Sequence, residues 1–264
     1  MASQASNLRG IVIASRDYGD KDKLIDFLSS NLGLISVCVK GALSRNSKFS
    51  GFTIPFSTCD ITVKKTGNFY YLSDYSILEG NSEIINSLEA MIVASHISSV
   101  IQRFVFQSEN SREVYELAAY AYFTLARNTN KYLLIYSIFN WRFLAILGQT
   151  IEYKSCSVCD EDIIDDDSSI YLSILEGRSI CESCFSKTTN KSSYVKVSFS
   201  IVKSLNFIAY GNLSKVFALS SNQSASEILA FFTTKYLERQ LEIDIEVLVE
   251  LNKLNLYSSA QDTN

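Results

Sequence analysis

The sequence predicts a multidomain α+β protein, with an N-terminal β-barrel followed by a mainly α-helical domain that carries a four-cysteine zinc site. Seven of the ten glycines and the single proline, Pro55, precede residue 81, so turns are concentrated in that part. From about residue 83 the apolar residues recur at helical spacing, and two Cys-x-x-Cys pairs follow. We therefore expect domains at 1–80 and 81–264, with a zinc-binding insertion at 153–187.

Short β-prone segments occupy much of the first 80 residues. The candidate strands lie at 8–15, 33–41, 57–65 and 68–80, and the third alternates apolar and polar residues. Residues 19–33 instead place four apolar side chains at helical spacing, and Gly33 suits a helix end. These side chains are Leu24, Ile25, Phe27 and Leu28. About five short strands with one early helix predict a small closed barrel.

Helical periodicity dominates the sequence from Ser82, which precedes Glu83 and suits a helix start. Helices are predicted over 87–107, 111–128 and 132–148. The third is apolar on nearly all sides, so we expect it to be the central buried helix, ended by Gly148. Two further helices are predicted near residues 199–210 and 224–241.

Four of the six cysteines form a metal-binding pattern: Cys156, Cys159, Cys181 and Cys184. Two residues between cysteines let one tight turn direct both sulfurs at one point, and a second turn completes a tetrahedron. Four thiolates leave no position for water, so the pattern favours structural Zn²⁺. A dithiol redox pair and a catalytic metal are the alternatives. The other two, Cys38 and Cys59, lie on apolar strand faces and are expected to be buried.

Composition and charge restrict the functional classes. No apolar run is long enough to span a membrane, and the first 20 residues have no basic head followed by a long apolar run. We therefore expect no secretory signal and a cytoplasmic protein. The net charge is −4 and the pI is about 5.2, but the charge is unevenly distributed. Segment 36–68 contains only one acid, Asp60, beside five cations. These cations are Lys40, Arg45, Lys48, Lys64 and Lys65. Such a local positive surface attracts polyanions.

Signals for catalysis are weak. The only histidine, His96, lies in an apolar helix, and no phosphate-binding glycine motif is present. Three aspartates, Asp17, Asp20 and Asp22, could form a magnesium site, but acids at a predicted helix start have a structural explanation. We therefore expect a protein that is not an enzyme.

The basic segment suggests nucleic-acid binding, because small barrels bind single strands with cations and aromatic stacking platforms. The candidate aromatic residues are Phe49, Phe52, Phe69, Tyr70 and Tyr71. The alternative is that these rings fill the barrel core and that the lysines are ordinary solvated charges. The residues alone support nucleic-acid binding and core packing equally.

The order of motifs resembles that of the RecO family of bacterial recombination mediators. The matching segments are "RDYGDKDKL", the "KGA" loop, "FNWRFLAILG" and "CSVC…CESC", and they span roughly residues 8–240. The resemblance implies an OB-fold, a helical domain and a zinc site, with Lys40, Arg45 and Lys48 in the DNA-binding loop. It also implies a nucleoid-associated role in DNA repair and recombination: binding single- and double-stranded DNA, annealing strands, and loading recombinase with RecR and single-stranded-DNA-binding protein.

A zinc-stabilised interaction adaptor with little DNA contact is the competing hypothesis, and the acidic pI favours it. A metal-dependent hydrolase is a more distant alternative, because it would need a metal ligand set with an open position.

Overall fold

A computed structural model describes residues 5–67, 69–105, 110–151, 153–163 and 169–261. The chain forms two compact units, Met1–Tyr132 and Leu133–Asn264, and each is described by itself. The acidic run at 160–167 is described only as far as residue 163. The predicted functional boundary at residue 80 stays a prediction, since the first compact unit also contains the first two helices.

Five strands close into a barrel in the first unit. They are β1 (Ala5–Tyr18), β2 (Asp22–Ser29), β3 (Gly33–Val39), β4 (Thr58–Thr66) and β5 (Phe69–Glu79). The strand order is β1-β2-β3-β5-β4, and β4 pairs with β1 to close the barrel. Every pairing is antiparallel except that of β3 with β5. The predicted N-terminal OB-type barrel is therefore confirmed.

The predicted early helix is wrong, because most of residues 19–33 form β2 and the turn after it. Every residue from Leu24 to Ser29 is buried, with Ile25 and Phe27 in the barrel core. A strand buried on both faces is a continuous apolar run, which periodicity cannot distinguish from a helix. Gly33 does not end a helix but opens β3 with a φ of 72°, a conformation that favours glycine.

Apolar side chains from all five strands and from the loop before β4 fill the barrel. Phe52, in a short 3-10 helix at Ser50–Thr53, is fully buried, and its ring centroid lies 6.0 Å from that of Phe27. Phe52 is therefore a core residue and offers no surface for stacking. Cys38 and Cys59 are buried, as predicted.

Two helices complete the first unit: α1 (Leu88–Phe104) and α2 (Ser111–Arg127). The Ser87 hydroxyl caps α1 by accepting a hydrogen bond from the Ala90 N–H at 3.2 Å. The predicted start at Ser82 is wrong as an α-helix start, because Ser82–Asn86 forms a separate 3-10 helix. Gln102 of α1 donates to the Asp26 carboxylate of β2 at 2.8 Å, which ties the helix to the barrel.

The second unit is organised around α3 (Tyr132–Ile146), whose side chains are buried on nearly all sides as predicted. Trp141 donates its indole N–H to the Leu205 carbonyl at 2.8 Å, and its ring packs against Phe232 and Tyr236. The other helices are α4 (Glu182–Lys187), α5 (Phe199–Tyr210), α6 (Leu213–Phe217), α7 (Gln223–Leu241) and α8 (Val247–Gln261). Of these, α5 and α7 were predicted.

A three-stranded antiparallel sheet accompanies the cysteine segment in the second unit. Its strands are β6 (Ile170–Ser173), β7 (Ser179–Cys181) and β8 (Tyr194–Val197), in the order β7-β6-β8. Within the described ranges of the chain, no helix is long and apolar enough to cross a membrane.

Candidate nucleic-acid interface and metal centre

Strand pairing brings three connections of the chain to one end of the barrel. Tyr18 pairs with Asp22 across the β1–β2 turn, and Thr66 pairs with Phe69 across the β4–β5 hairpin. Lys23, next to the first turn, pairs with Val39 at the end of β3. The loop that begins at Lys40 therefore leaves the barrel beside both turns. We call this end of the barrel, with residues 18–21, 40–48, 64–67 and 69–71, the cationic end.

All five predicted DNA-binding cations are exposed. Lys40 places its ammonium nitrogen 5.0 Å from the ring centroid of Tyr71, and Lys64 is the register partner of Tyr71 in the β4–β5 ladder. The ammonium nitrogen of Lys65 lies 5.3 Å from the ring centroid of Tyr70. The structure thus places Lys40 and Lys64 at Tyr71, and Lys65 at Tyr70 on the other face of the same strand pair.

The remaining two predicted cations belong to the same loop as Lys40. The Lys48 ammonium lies 4.8 Å from the ring centroid of Phe49, which packs against the barrel core, and Arg45 is exposed. No contact described in the structure joins Arg45 or Lys48 to the two tyrosines. Their membership of the interface therefore stays a prediction.

Two acids close to these cations, Asp17 and Asp60, form ion pairs with other cations. Asp60, the only acid of segment 36–68, accepts two hydrogen bonds from Arg9, at 2.7 and 2.8 Å, and these bonds lower the pKa of its carboxyl group. Asp17 forms an ion pair with Lys23 at 3.2 Å. Among the described residues, no carboxylate lies within ion-pairing distance of the four cations Lys40, Arg45, Lys48 and Lys64. None of these four cations is therefore neutralised by an ion pair within the described residues.

The D-Y-G-x-x-D and K-G-A motifs form one structural unit. The Asp22 carboxylate accepts a hydrogen bond from the Gly41 N–H at 2.8 Å, and the Leu43 N–H donates to the Lys21 carbonyl at 3.0 Å. These bonds hold the start of the basic loop against the β1–β2 turn. Asp22 is thus a loop-positioning residue, and its predicted place at a helix start is wrong because no helix begins there.

The structure adds Tyr18 and Lys21 to the cationic end. Tyr18 is 51% exposed, and its ring centroid lies 6.3 Å from that of Phe69 on the β4–β5 hairpin. Lys21 is exposed in the β1–β2 turn. The D-Y-G-x-x-D motif contains both residues. Because the motif was interpreted as a helix start, the sequence analysis did not connect them with the basic loop that begins at Lys40.

The four predicted metal ligands converge in the second unit. Their sulfurs all lie within 4.8 Å of one another, and those of Cys159 and Cys181 are 3.9 Å apart. A tetrahedral site with metal–sulfur bonds of about 2.3 Å has sulfur–sulfur edges of about 3.8 Å. The four cysteines therefore fit a metal ion, and four sulfur ligands would fill its coordination sphere.

Local hydrogen bonds shape the two cysteine turns. The Cys156 N–H donates to the Glu161 carbonyl at 2.8 Å, which closes the first turn. The Cys181 N–H donates to the Cys156 sulfur at 3.4 Å, which links the two turns. Burial raises the pKa of Cys156, but backbone donors, with Cys181 first among them, bring the net pKa below its ordinary value. Hydrogen bonds also lower the pKa of Cys181, to about 6, whereas burial and neighbouring thiols raise the pKa of Cys159 and Cys184. The chain thus favours the thiolate, the form that binds metal, at two of the four ligands.

A small core supports the candidate metal centre. Tyr171 of β6 and Phe185 of α4 stack with ring centroids 3.7 Å apart and an interplanar angle of 8°. Tyr194 of β8 meets Phe185 edge-on, with centroids 5.9 Å apart. Three of the four cysteines, the three aromatic rings and Ile180 form one cluster, which is too small to replace a domain core.

Two family models match successive parts of the chain. The model of the recombination protein O N-terminal region matches residues 1–81, and that of its C-terminal region matches residues 85–248. A DNA repair protein RecO of Acetivibrio thermocellus is 25% identical over 233 residues, which cover 88% of this chain and 90% of that protein. The corresponding protein of Caldicellulosiruptor bescii is 23% identical over 240 residues, covering 91% and 95%.

The fold and the sites define a class of protein: an OB-type barrel followed by helices and a four-thiol candidate metal centre. The matched residues identify the family more closely. The chain belongs to the RecO family of DNA repair proteins.

Proposed function

We propose that this protein mediates DNA repair and recombination by binding single- and double-stranded DNA at the cationic end and by promoting strand annealing. The observation that carries the proposal is the group of exposed cations at this end, four of which have no carboxylate partner among the described residues. The two turns at this end correspond to the loops with which OB-folds bind oligonucleotides. Membership of a DNA repair family supports the same role.

The mechanism that we propose is electrostatic. Lysine and arginine side chains neutralise phosphates and release the counterions condensed on the strand, which favours binding without reading the sequence. Tyr18 and Phe69 offer aromatic surface on which an unpaired base could stack. Holding two strands on one protein raises their effective concentration for pairing. None of these steps requires bond chemistry, so we propose that the protein is not an enzyme.

The partners proposed for the repair role are RecR and single-stranded-DNA-binding protein. The support for them is the family membership, and recombinase loading is proposed on the same ground. For the metal centre we propose Zn²⁺ held by Cys156, Cys159, Cys181 and Cys184. Four thiolates suit this ion, which supplies rigidity and no reaction when all four positions are filled by protein.

The salt dependence of DNA binding tests the proposed function. If five cations neutralise phosphates of a single strand, the logarithm of the association constant should fall with the logarithm of salt concentration at a slope of about −3.5. Fluorescence anisotropy of a labelled oligonucleotide, titrated with the full chain at several salt concentrations, measures this slope. An affinity independent of salt, or no binding at low salt, would reject the proposal.

The second candidate function is an interaction adaptor with little DNA contact, which the pI of about 5.2 favours. The same titration separates the two functions, because an adaptor would capture repair proteins without binding the oligonucleotide at low salt.

A further inference from the structure

A second positive region lies in the second unit. Between Glu182 and Glu227 the chain contains five lysines and no Asp or Glu, although the whole protein carries 28 acids and a net charge of −4. The five are Lys187, Lys191, Lys196, Lys203 and Lys215. A stretch of this length without an acid creates a local positive potential in an otherwise acidic part of the chain.

The structure brings two of these lysines to one place. Lys191 holds its ammonium nitrogen 5.5 Å from the ring centroid of Phe185, and Lys196 holds its own 5.9 Å from that of Tyr171. Because Phe185 and Tyr171 stack on each other, both cations flank one aromatic pair. Lys187 ends α4, two residues after Phe185. We call Lys187, Lys191 and Lys196 the lysine face.

The charge of the lysine face is exposed and not neutralised. All three side chains are exposed, and among the described residues no carboxylate lies within ion-pairing distance of them. Contact with an aromatic ring leaves the ammonium protons available for further hydrogen bonds. Thr189 is also exposed, and its hydroxyl group can donate a proton to a phosphate oxygen.

The cysteine cluster and the β6–β8 strand pair position the backbone segments that carry the lysine face. Phe185 follows Cys184 directly, and Lys196 is the register partner of Tyr171 in the β6–β8 ladder. The backbone of these segments is therefore ordered before any ligand binds, which lowers the entropy cost of binding.

We infer that the lysine face is a second binding surface for the sugar-phosphate backbone of nucleic acid, in a different compact unit from the barrel. Within the described residues of 183–198, no large apolar side chain is exposed. A polar cationic surface suits a phosphate chain better than a peptide anchored by apolar side chains. The inference rests on the proposed function, because a protein that anneals strands needs to hold two of them.

The test replaces Lys187, Lys191 and Lys196 by glutamine, in the wild-type chain and in a chain whose barrel cations Lys40, Arg45 and Lys48 are alanine. In the barrel variant we expect the residual affinity for single-stranded DNA to fall further and the remaining salt slope to move towards zero. In the wild-type background we expect the annealing rate of complementary oligonucleotides to fall at least tenfold.

A matched control removes the same charge from other exposed positions of the second unit: Lys235, Arg239 and Lys253, each replaced by glutamine. This control should leave DNA binding and annealing unchanged. Equal losses in both triple variants, or unchanged binding in the lysine-face variant, would overturn the inference. The inference would also be overturned if the lysine-face variant lost binding to a poly-glutamate probe but kept DNA binding. The surface would then bind an acidic protein segment.

Lysine acetylation of the wild-type protein, read by mass spectrometry, tests the inference without a variant. An oligonucleotide should protect Lys191 and Lys196, and unprotected lysines would count against the lysine face.

The lysine-face variant and the barrel variant also distinguish the two proposals. If only the lysine-face variant loses DNA binding, the cationic end is not the DNA site and the inference stands. If only the barrel variant loses binding, the inference fails alone.

Discussion

Replacing Lys40, Arg45 and Lys48 together by alanine is expected to lower the affinity for single-stranded DNA roughly 100-fold at 0.1 M salt. Each phosphate contact on a single strand contributes about 0.7 to the salt slope, so three lost contacts should also change the slope from about −3.5 to about −1.4. The side chains are exposed and lack carboxylate partners among the described residues, so their removal leaves no buried charge unpaired. Anisotropy titrations at several salt concentrations measure both quantities.

The matched control for this variant removes three arginines from the helices of the same unit: Arg103, Arg112 and Arg127. It changes the net charge equally. Arg112 and Arg127 have carboxylate partners, at 3.0 Å in each case, and exposed ion pairs of this kind contribute little to stability. The control should keep the wild-type slope. A loss as large as that of the loop variant would mean that total charge, and not the basic loop, controls binding.

Replacing Cys156 by serine is expected to lower the unfolding temperature of the second unit by about 10 °C. Metal binding to thiolates is coupled to folding, and the loss of a buried ligand should weaken it by several kcal/mol. For a unit of this size about 1 kcal/mol corresponds to a shift of roughly 3–4 °C. Differential scanning calorimetry measures the shift, and metal analysis of the purified protein should find one zinc per wild-type chain.

A chelator and a neighbouring substitution provide the controls for the cysteine variant. The chelator should lower the unfolding temperature of the wild-type protein but have no further effect on Cys156→Ser. Val158, 65% exposed between Cys156 and Cys159, can be changed to serine without removing a ligand, so that variant should retain its zinc. Stability of Cys156→Ser equal to that of the wild type would refute a stabilising metal centre.

Local sequence patterns predicted the structure correctly where a pattern is compatible with only one local conformation. The spacing of Cys156, Cys159, Cys181 and Cys184 predicts convergence of the sulfurs because short turns restrict where they can point. The long helical segments were found for a similar reason: their periodicity extends over several turns, and α3 is buried on nearly all sides, as its composition predicts.

Other features depend on contacts between segments that are distant in the sequence, and local sequence patterns do not reveal such contacts. Leu24–Ser29 is buried on both faces, with the barrel core on one of them, so its apolar residues do not alternate and its strand conformation cannot be read from their spacing. The grouping of Lys40 and Lys64 at Tyr71 follows from strand register, which is set by pairing across the barrel. Phe52 fills the core because the 3-10 helix before β4 packs against the barrel, which is also a contact between distant segments.

The central claim is that DNA contacts the cationic end of the barrel, and amide hydrogen exchange of the full chain with and without a single-stranded oligonucleotide tests it most directly. The account predicts slower exchange, on adding the oligonucleotide, in peptides that cover residues 18–21, 40–48 and 64–71. Peptides from α1 and α2 should exchange at unchanged rates. Saturating oligonucleotide that leaves exchange in all three barrel segments unchanged would contradict the account.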